Sequence, residues 1–300
     1  MTAWGLCATV RAPTDQVLAF VAHHLCLGAA RIWLHFDDPD DPARVAVAHL
    51  PQVTATACDA AYWAGLMGRR PDRHQNRQAR NMLRVYRLAA LPWIAHIDVD
   101  EFLWPARPVD QVLADLPADR MQLRLSPWEA LHDPALPDDI FTARHFRAAL
   151  RGPARAADRA AIFGPHAPLL PQGVLSHAAG KCFFRTGIRG LEPRLHGAFL
   201  NGTRLADDRF APDIALLHFH AQDAVDWQAR LPFRLTRGAY QFNPALQAHL
   251  AACSPDGIAA FYRAVQLATP ETLAHLRALD ALIEADLHLR DRIRALSPSS

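Results

Sequence analysis

The chain has 300 residues, of which 51% are hydrophobic and 21% charged, and its formal net charge is +2. That suits one large α/β domain, or a domain with a helical appendage, and supplies no charged tail of the kind that binds nucleic acid. No run reaches the roughly eighteen apolar residues of a membrane span, and the N-terminal MTAWGLCATVRAP has no basic-then-apolar leader pattern, so no secretory signal is expected.

The first half alternates strand and helix signals. Residues 4–10 (WGLCATV) read as a strand, and Pro13-Thr14-Asp15 opens a helix to about Leu27, with Gly28 as its stop. RIWLHF (31–36) is a second strand, an acidic loop at 37–41 leads to a helix near 42–49, and residues 52–57 alternate as a third strand. A long helical pattern over 73–91 ends at Pro92, and Trp93 to Ile97 forms a fourth strand. This order implies a doubly wound, mostly parallel sheet.

The second half is less regular. A short helix is expected within 105–120, strands at 121–125, 181–186 and 215–219, and a long loop or insertion over 151–175. From about 222 onward the pattern is helical. Residues 270–295 read as one amphipathic helix suited to packing or dimerisation, and Ser297–Ser300 as a frayed tail. The expected organisation is a catalytic domain over 1–240 and a helical extension over 241–300.

Five scattered cysteines without a C-x-x-C pair argue against a disulfide framework or zinc ribbon, and fit reduced thiols in a cytoplasmic protein. Among 32 basic residues there is a single lysine, Lys181. It is either a chance survivor of an arginine-favouring bias or a point where a compact ammonium is needed.

The strongest local feature is WIAHIDVDEFLWP (93–105), an apolar strand ending in Asp98, Asp100 and Glu101. Ligands of α/β sheets bind beyond the carboxyl ends of strands. In extended chain Asp98 and Asp100 would face one side, where their charges would repel without a cation between them. Hard carboxylate oxygens suit Mg²⁺ or Mn²⁺, which also coordinate diphosphate. The competing use of the three acids is a polar strand end that caps the next helix.

With these residues in place, the chain over roughly 5–240 resembles the glycosyltransferase family 2-like enzymes with a D-x-D-E-F core, to which glycosyltransferase family 92 is related. VLAFVAHHLCLGAARIWLHFDD, RHQNRQARNMLRVY, HIDVDEF, LSPWEALHD, GKCFFR, GLEPRLHGAF and LLHFHAQDAVDWQARLPFRLTRG follow in the family's order. The resemblance implies a GT-A fold. It implies transfer from a nucleoside-diphosphate sugar to a saccharide or glycolipid acceptor, with inversion. Asp98 and Asp100, with His218, are implied as metal ligands. Arg11, Asp37, Asp38, Gln78, Asn81, Lys181 and Arg237 fall on the nucleotide-sugar side, and Glu101, Trp128 and His196 near the acceptor.

Glu129 is the first candidate for the base, with Asp133 behind it. Each competes with an ordinary surface acid, and His218 with a histidine inside a buried strand. The chain departs from the family at Arg11-Ala12-Pro13, where Lys-Asn-Glu is common, at Pro39-Asp40-Asp41, and at Glu129-Ala130. Two other readings stand beside the transferase. One is a nucleotidyltransferase, although residues 9–16 carry no glycine for a phosphate loop. The other is a degenerate, non-catalytic sugar-binding or scaffold protein. The expected setting is cytoplasmic, with peripheral membrane association possible.

Overall fold

The computed structural model describes residues 1–137, 139–206 and 209–296. The tail expected at Ser297–Ser300 lies outside the described residues. Contacts divide the chain into two compact units. The first comprises Met1–Ser126, Ala179–Leu216 and the chain from Leu289 on; the second comprises Pro127–Ala178 and Leu217–His288. Of the expected extension, residues 241–288 fall in the second unit and Leu289–Leu296 in the first.

The first unit opens with β1 (Trp4–Val10), α1 (Thr14–Cys26), β2 (Arg31–Phe36), α2 (Pro42–Val47), β3 (Val53–Ala57), α3 (Ala60–Met67), α4 (His74–Leu88) and β4 (Trp93–His96). The strands pair in parallel in the order β3-β2-β1-β4. Because β2 and β3 step outward on one side of β1 and β4 returns on the other, the winding reverses between β1 and β4. This is the doubly wound α/β core that the sequence predicts. Its β1 is buried almost throughout, the composition expected of a parallel strand covered on both faces.

Local chemistry fixes the helix starts. The Asp41 and Asp59 carboxylates accept the Ala43 and Tyr62 N–H groups at 2.9 and 2.7 Å. On α4, Met82, Val85 and Tyr86 pack with Cys7, Ile94 and Cys182. Burying each such large side chain is worth roughly 1.5–3 kcal/mol, far more than a cap.

The chain continues through β5 (Glu101–Pro105), α5 (Val109–Ala114) and β6 (Gln122–Leu131). The expected strand at 121–125 thus runs on through Trp128 and Glu129. Pro127 masks the pattern, but it falls between two ladders: Gln122–Leu125 pair antiparallel with β8 (Lys181–Arg185), and Trp128–Leu131 pair antiparallel with β7 (His145–Ala148). Antiparallel β8 also borders β4. The first unit is completed by a small sheet of β9 (Leu191–Arg194), β10 (Gly197–Leu200) and β11 (Thr203–Arg204), by most of β12 (Phe210–His218), which pairs with β5, and by α12 (Leu289–Leu296).

The second unit holds β7, α6 (Ala156–Phe163), α7 (Ala224–Ala229), α8 (Leu231–Thr236), α9 (Pro244–Ala252), α10 (Pro255–Gln266), α11 (Pro270–Ala278) and β13 (Leu282–Glu284). Its core gathers Trp227, Tyr240, Phe261 and Tyr262. Two expectations are corrected here. The loop over 151–175 contains α6 and two short 3₁₀ helices, Pro153–Arg155 and Gly164–Leu169. The single helix over 270–295 is instead α11, β13 and α12. Asp280 and His288 take left-handed φ values of 51° and 48° and break it, and the intervening residues pair as a strand on β7. Helical periodicity in the sequence does not register either effect. Among the described residues no helix is long and apolar enough to cross a membrane.

Candidate functional site

The winding reversal between β1 and β4 marks the place where an open α/β sheet leaves a crevice beyond its carboxyl ends. Asp98 follows β4 there. Contrary to the expectation of extended chain, residues 98–101 form a turn: Glu101 N–H donates to the Asp98 carbonyl at 3.0 Å, and Asp98 N–H donates to Glu101 Oε2 at 2.7 Å. Glu101 is fully buried and staples this turn, while Asp100 stands half-buried on it.

The Asp98 carboxylate is held from two elements. Gln78 Nε2, on the first turns of α4, donates to Oδ1 at 2.5 Å, and Lys181 Nζ, at the start of β8, donates to Oδ2 at 2.5 Å. Lys181 also lies 3.5 Å from Glu101, and its side chain is 2% exposed against 28% for Asp98. Burial alone would raise the Asp98 pKa, but the charge and hydrogen bond of Lys181 outweigh it and hold the carboxyl well below the usual range. Burial would likewise lower Lys181, and Asp98 and Glu101 reverse that, keeping the ammonium charged.

Gly180 makes the approach possible. It adopts φ +71°, and a Cβ there would stand 2.0 Å from the Leu125 carbonyl oxygen. His96 is buried behind the pair with neither ring nitrogen hydrogen-bonded among the described residues. Burial, with Lys181 adding to it, lowers its pKa to about 3, so it is neutral. The His196 ring is bound to the Gly180 carbonyl at 2.7 Å and is lowered to about 4 by burial and Lys181. The rim histidine His74 is lowered by burial, against the opposing charge of Asp98.

Beyond β2, Asp37 is clamped by the Arg77 fork, with Nε and Nη2 each 2.7 Å from its two oxygens, and by Arg70 at 3.0 Å. Burial opposes ionisation of Asp37, and Arg77 and Arg70 overcome it. Its carboxylate thus organises two arginines. Asp38 is exposed and accepts from Asp40 N–H at 3.0 Å. Asn81 is buried, donating to the Thr9 hydroxyl at 2.9 Å and accepting from the Tyr62 hydroxyl at 2.8 Å, so it braces α4 against β1 and α3. Arg11 is exposed at the carboxyl end of β1. The first unit therefore brings together Gln78, Asp98, Glu101 and Lys181. Arg77 and His96 lie inside the motifs RHQNRQARNMLRVY and HIDVDEF without a role assigned to them, and Arg70 lies outside every quoted motif.

The remaining expected residues belong to the second unit. Glu129 is 1% exposed, and its carboxylate accepts from the Arg147 guanidinium and from Leu175 and Ser176 N–H at 3.1 and 2.6 Å. Burial raises its pKa, but Arg147 and the two amides outweigh it and keep it ionised. A carboxylate so held is a poor proton acceptor and an effective anchor between β6, β7 and the 175–176 loop. Arg147 also reaches Gln266 at 2.7 Å. Asp133 is half-buried and accepts from Ala135 N–H at 2.9 Å, Trp128 is half-buried on β6, and Arg237 is exposed at the end of α8. His218 ends β12 with its ring 5.7 Å from that of His177 and 5.3 Å from that of His220.

As for a cation, no group of three or more His, Cys, Asp or Glu among the described residues is arranged to hold one alone. The donor chemistry of Asp98 and Asp100 does fit a cation that completes its shell with ligand phosphate oxygens, the usual manner of Mg²⁺.

No family model and no curated protein matches the chain. Solved structures similar to it include a CMP:2-keto-3-deoxy-manno-octonic acid synthetase complexed with CTP, at 14% identity and TM-score 0.27, over 48% of this chain and 64% of that one. The chain thus spans just under two thirds of the synthetase. HddC from Yersinia pseudotuberculosis is 10% identical with TM-score 0.28, over 49% of this chain and 68% of its own. S. aureus TarS 1–349 is 10% identical with TM-score 0.34, over 100% of this chain and 93% of its own. At TM-scores this low the likeness identifies no activity.

Proposed function

We propose that this chain is a cytoplasmic glycosyltransferase that uses a divalent cation to move a sugar from a nucleoside-diphosphate donor to a saccharide or glycolipid acceptor. One observation carries the reading: the D-x-D-E turn lies at the winding reversal of a doubly wound sheet, with its first carboxylate locked by a buried lysine.

In this reading Asp98 and Asp100 would hold Mg²⁺ or Mn²⁺ beside the donor diphosphate. The cation supplies neutralisation of charge on the departing nucleoside diphosphate. Lys181 and Gln78 orient Asp98 so that its remaining lone pairs are presented in one direction, and Glu101 keeps the turn closed. Arg11 at the end of β1 and the Asp37-held Arg70 and Arg77 stand on the nucleotide side. His196 keeps the acceptor role that the resemblance implies, and in the second unit Trp128, His218 and Arg237 keep their implied roles as expectations taken from the sequence alone. Asp133 is the carboxylate proposed as base, and Glu129 serves to anchor the strand that carries Trp128.

A thermal-shift panel of nucleoside diphosphates, with and without Mn²⁺, tests the reading on the wild type and on Asp100→Ala. A ligand at 100 times its Kd adds roughly 2.7 kcal/mol to stability. The expected shift needs both the cation and one particular nucleotide and vanishes in the variant. A folded protein that shifts with no nucleotide would overturn the proposal and leave the three acids structural.

A further inference from the structure

Several arginines of the chain sit beside an acid. Examples are Arg107 with Asp115, Arg144 with Asp286, Arg155 with Asp158, Arg230 with Asp226 and Arg294 with Asp291. One face of the first unit gathers arginines that do not. Arg69, Arg73, Arg80, Arg84 and Arg87 have no acidic partner among the described residues, although all but Arg69 lie on α4 or at its start. From Arg73 through Ile97 the sequence contains no Asp or Glu.

These arginines line two adjoining hollows. The first, of about 410 Å³, is bordered by Arg69, Arg73, Arg80 and Arg194; the second, of about 230 Å³, by Arg80, Arg84 and Arg87. Arg80 and Met67 belong to both, so the hollows form one trough along the outer side of α4. Among the described residues that line it, the one acid is Asp72. Between Arg73 and Arg87 a helix advances by about 21 Å at its standard rise.

The direction of the trough is set by what α4 touches. Gln78 near its start binds Asp98 at the carboxyl edge of the sheet. Tyr86 near its end donates to the Arg185 carbonyl at 2.9 Å, and Arg185 pairs with Trp93, the first residue of β4. The trough therefore runs from the carboxyl edge of the sheet, the edge on which Asp98 lies, toward the opposite edge. The row is costly in part, because like charges three and four residues apart repel along a helix and Arg73 at its start opposes the dipole, while Arg87 in the last turn favours it and Arg84 lies 5.8 Å over the Tyr62 ring. The row does suit an anion, because guanidinium forks bind carboxylate, sulfate and phosphate groups in bidentate fashion.

We infer that this trough binds an extended anionic glycan, and that such a glycan is the acceptor whose end reaches the Asp98 site. The acceptor role rests on the transferase reading; the binding itself does not. A concave, arginine-lined track fits a chain laid along it better than a flat bilayer surface.

Fluorescence anisotropy with labelled oligogalacturonate and with labelled heparin oligosaccharide tests the inference. Wild type is compared with Arg80→Ala/Arg84→Ala/Arg87→Ala and with a control of equal charge loss, Arg155→Ala/Arg230→Ala/Arg294→Ala. The expected result is salt-sensitive binding by wild type, weakened about tenfold or more in the trough variant and about twofold or less in the control. Equal losses in both variants, absence of binding to either glycan, or binding to anionic vesicles or RNA in their place would overturn it. The nucleotide thermal shift is run on the same variants. A trough variant that keeps the shift and loses the glycan supports the track, and one that keeps both refutes it. Glycan binding in a wild type that lacks any nucleotide shift would refute the transferase and leave the anionic track standing.

Discussion

Lys181 holds its ammonium between Asp98 at 2.5 Å and Glu101 at 3.5 Å, almost out of reach of water. Removing one partner of a buried pair strands the charges that remain, at a cost of about 3–5 kcal/mol. Because Asp98 keeps some access to solvent, Lys181→Met should fall at the lower end, read from the urea midpoint. Lys181→Arg should recover only part, since a planar fork does not replace a compact ammonium beside Gly180. A loss for Lys181→Met below about 1 kcal/mol would mean that the pair behaves as a solvated one. At this scale the sequence singles out a lone lysine among arginines and a three-acid strand end, and the fold brings the two together. The sequence was silent about their pairing, because Asp98 and Lys181 are 83 positions apart. It also presented Glu129 as a base, since nothing local announces Arg147 on the neighbouring strand.

At the scale of elements, two junctions are tightly specified. Gly180 leads into β8 with φ +71° and no room for a Cβ beside the Leu125 carbonyl. Gly180→Ala should destabilise by about 1–3 kcal/mol through backbone strain alone, and more as β6 and β8 are forced apart; differential scanning calorimetry reads the loss. In the second unit, Arg147 joins β7 to Glu129 of β6 and to Gln266 of α10. Arg147→Met should cost about 3–5 kcal/mol, and adding Glu129→Gln should return a measurable part of it, because the second change removes the stranded charge. A double variant no more stable than the single one would show that the pair's charge is not the issue. The elements themselves were largely readable in the first half, where strand and helix periods alternate cleanly. They were misread at 151–175 and 270–295, where a short helix was hidden in Ala, Arg and Pro, and where two left-handed residues interrupt a helical period.

Across the whole molecule, buried neutral histidines set the response to acid. Burial lowers His23 to about 3, with the bond to the Leu103 carbonyl opposing it, and burial with Arg84 lowers His35 to about 4. An unfolded chain takes up these protons below pH 6.5, its ordinary value, while the folded protein does not. Their contribution is therefore complete above pH 6.5 and is lost as pH falls toward 4. Each such group costs about 1.4 kcal/mol per pH unit over that range. Stability measured by urea between pH 7 and 4 should decline on acidification, and His35→Gln should flatten the slope by about that amount. An unchanged slope would mean that His35 is protonated in the fold.

The sequence by itself determined the α/β class, the parallel strands of the first half and the position of the acidic strand end. These follow from residue periodicity and from strand ends, which are local. Only the tertiary structure decided the order β3-β2-β1-β4 that puts Asp98 at the winding reversal, the locking of Asp98 by Lys181 and Gln78, and the division of the expected site residues between two compact units. It also decided that Arg80, Arg84 and Arg87 of α4 line one trough with Asp72 as an acid at its start. Each of those depends on residues far apart in the chain meeting in space, and the free energy that brings them together comes from burying the core, which no local pattern encodes.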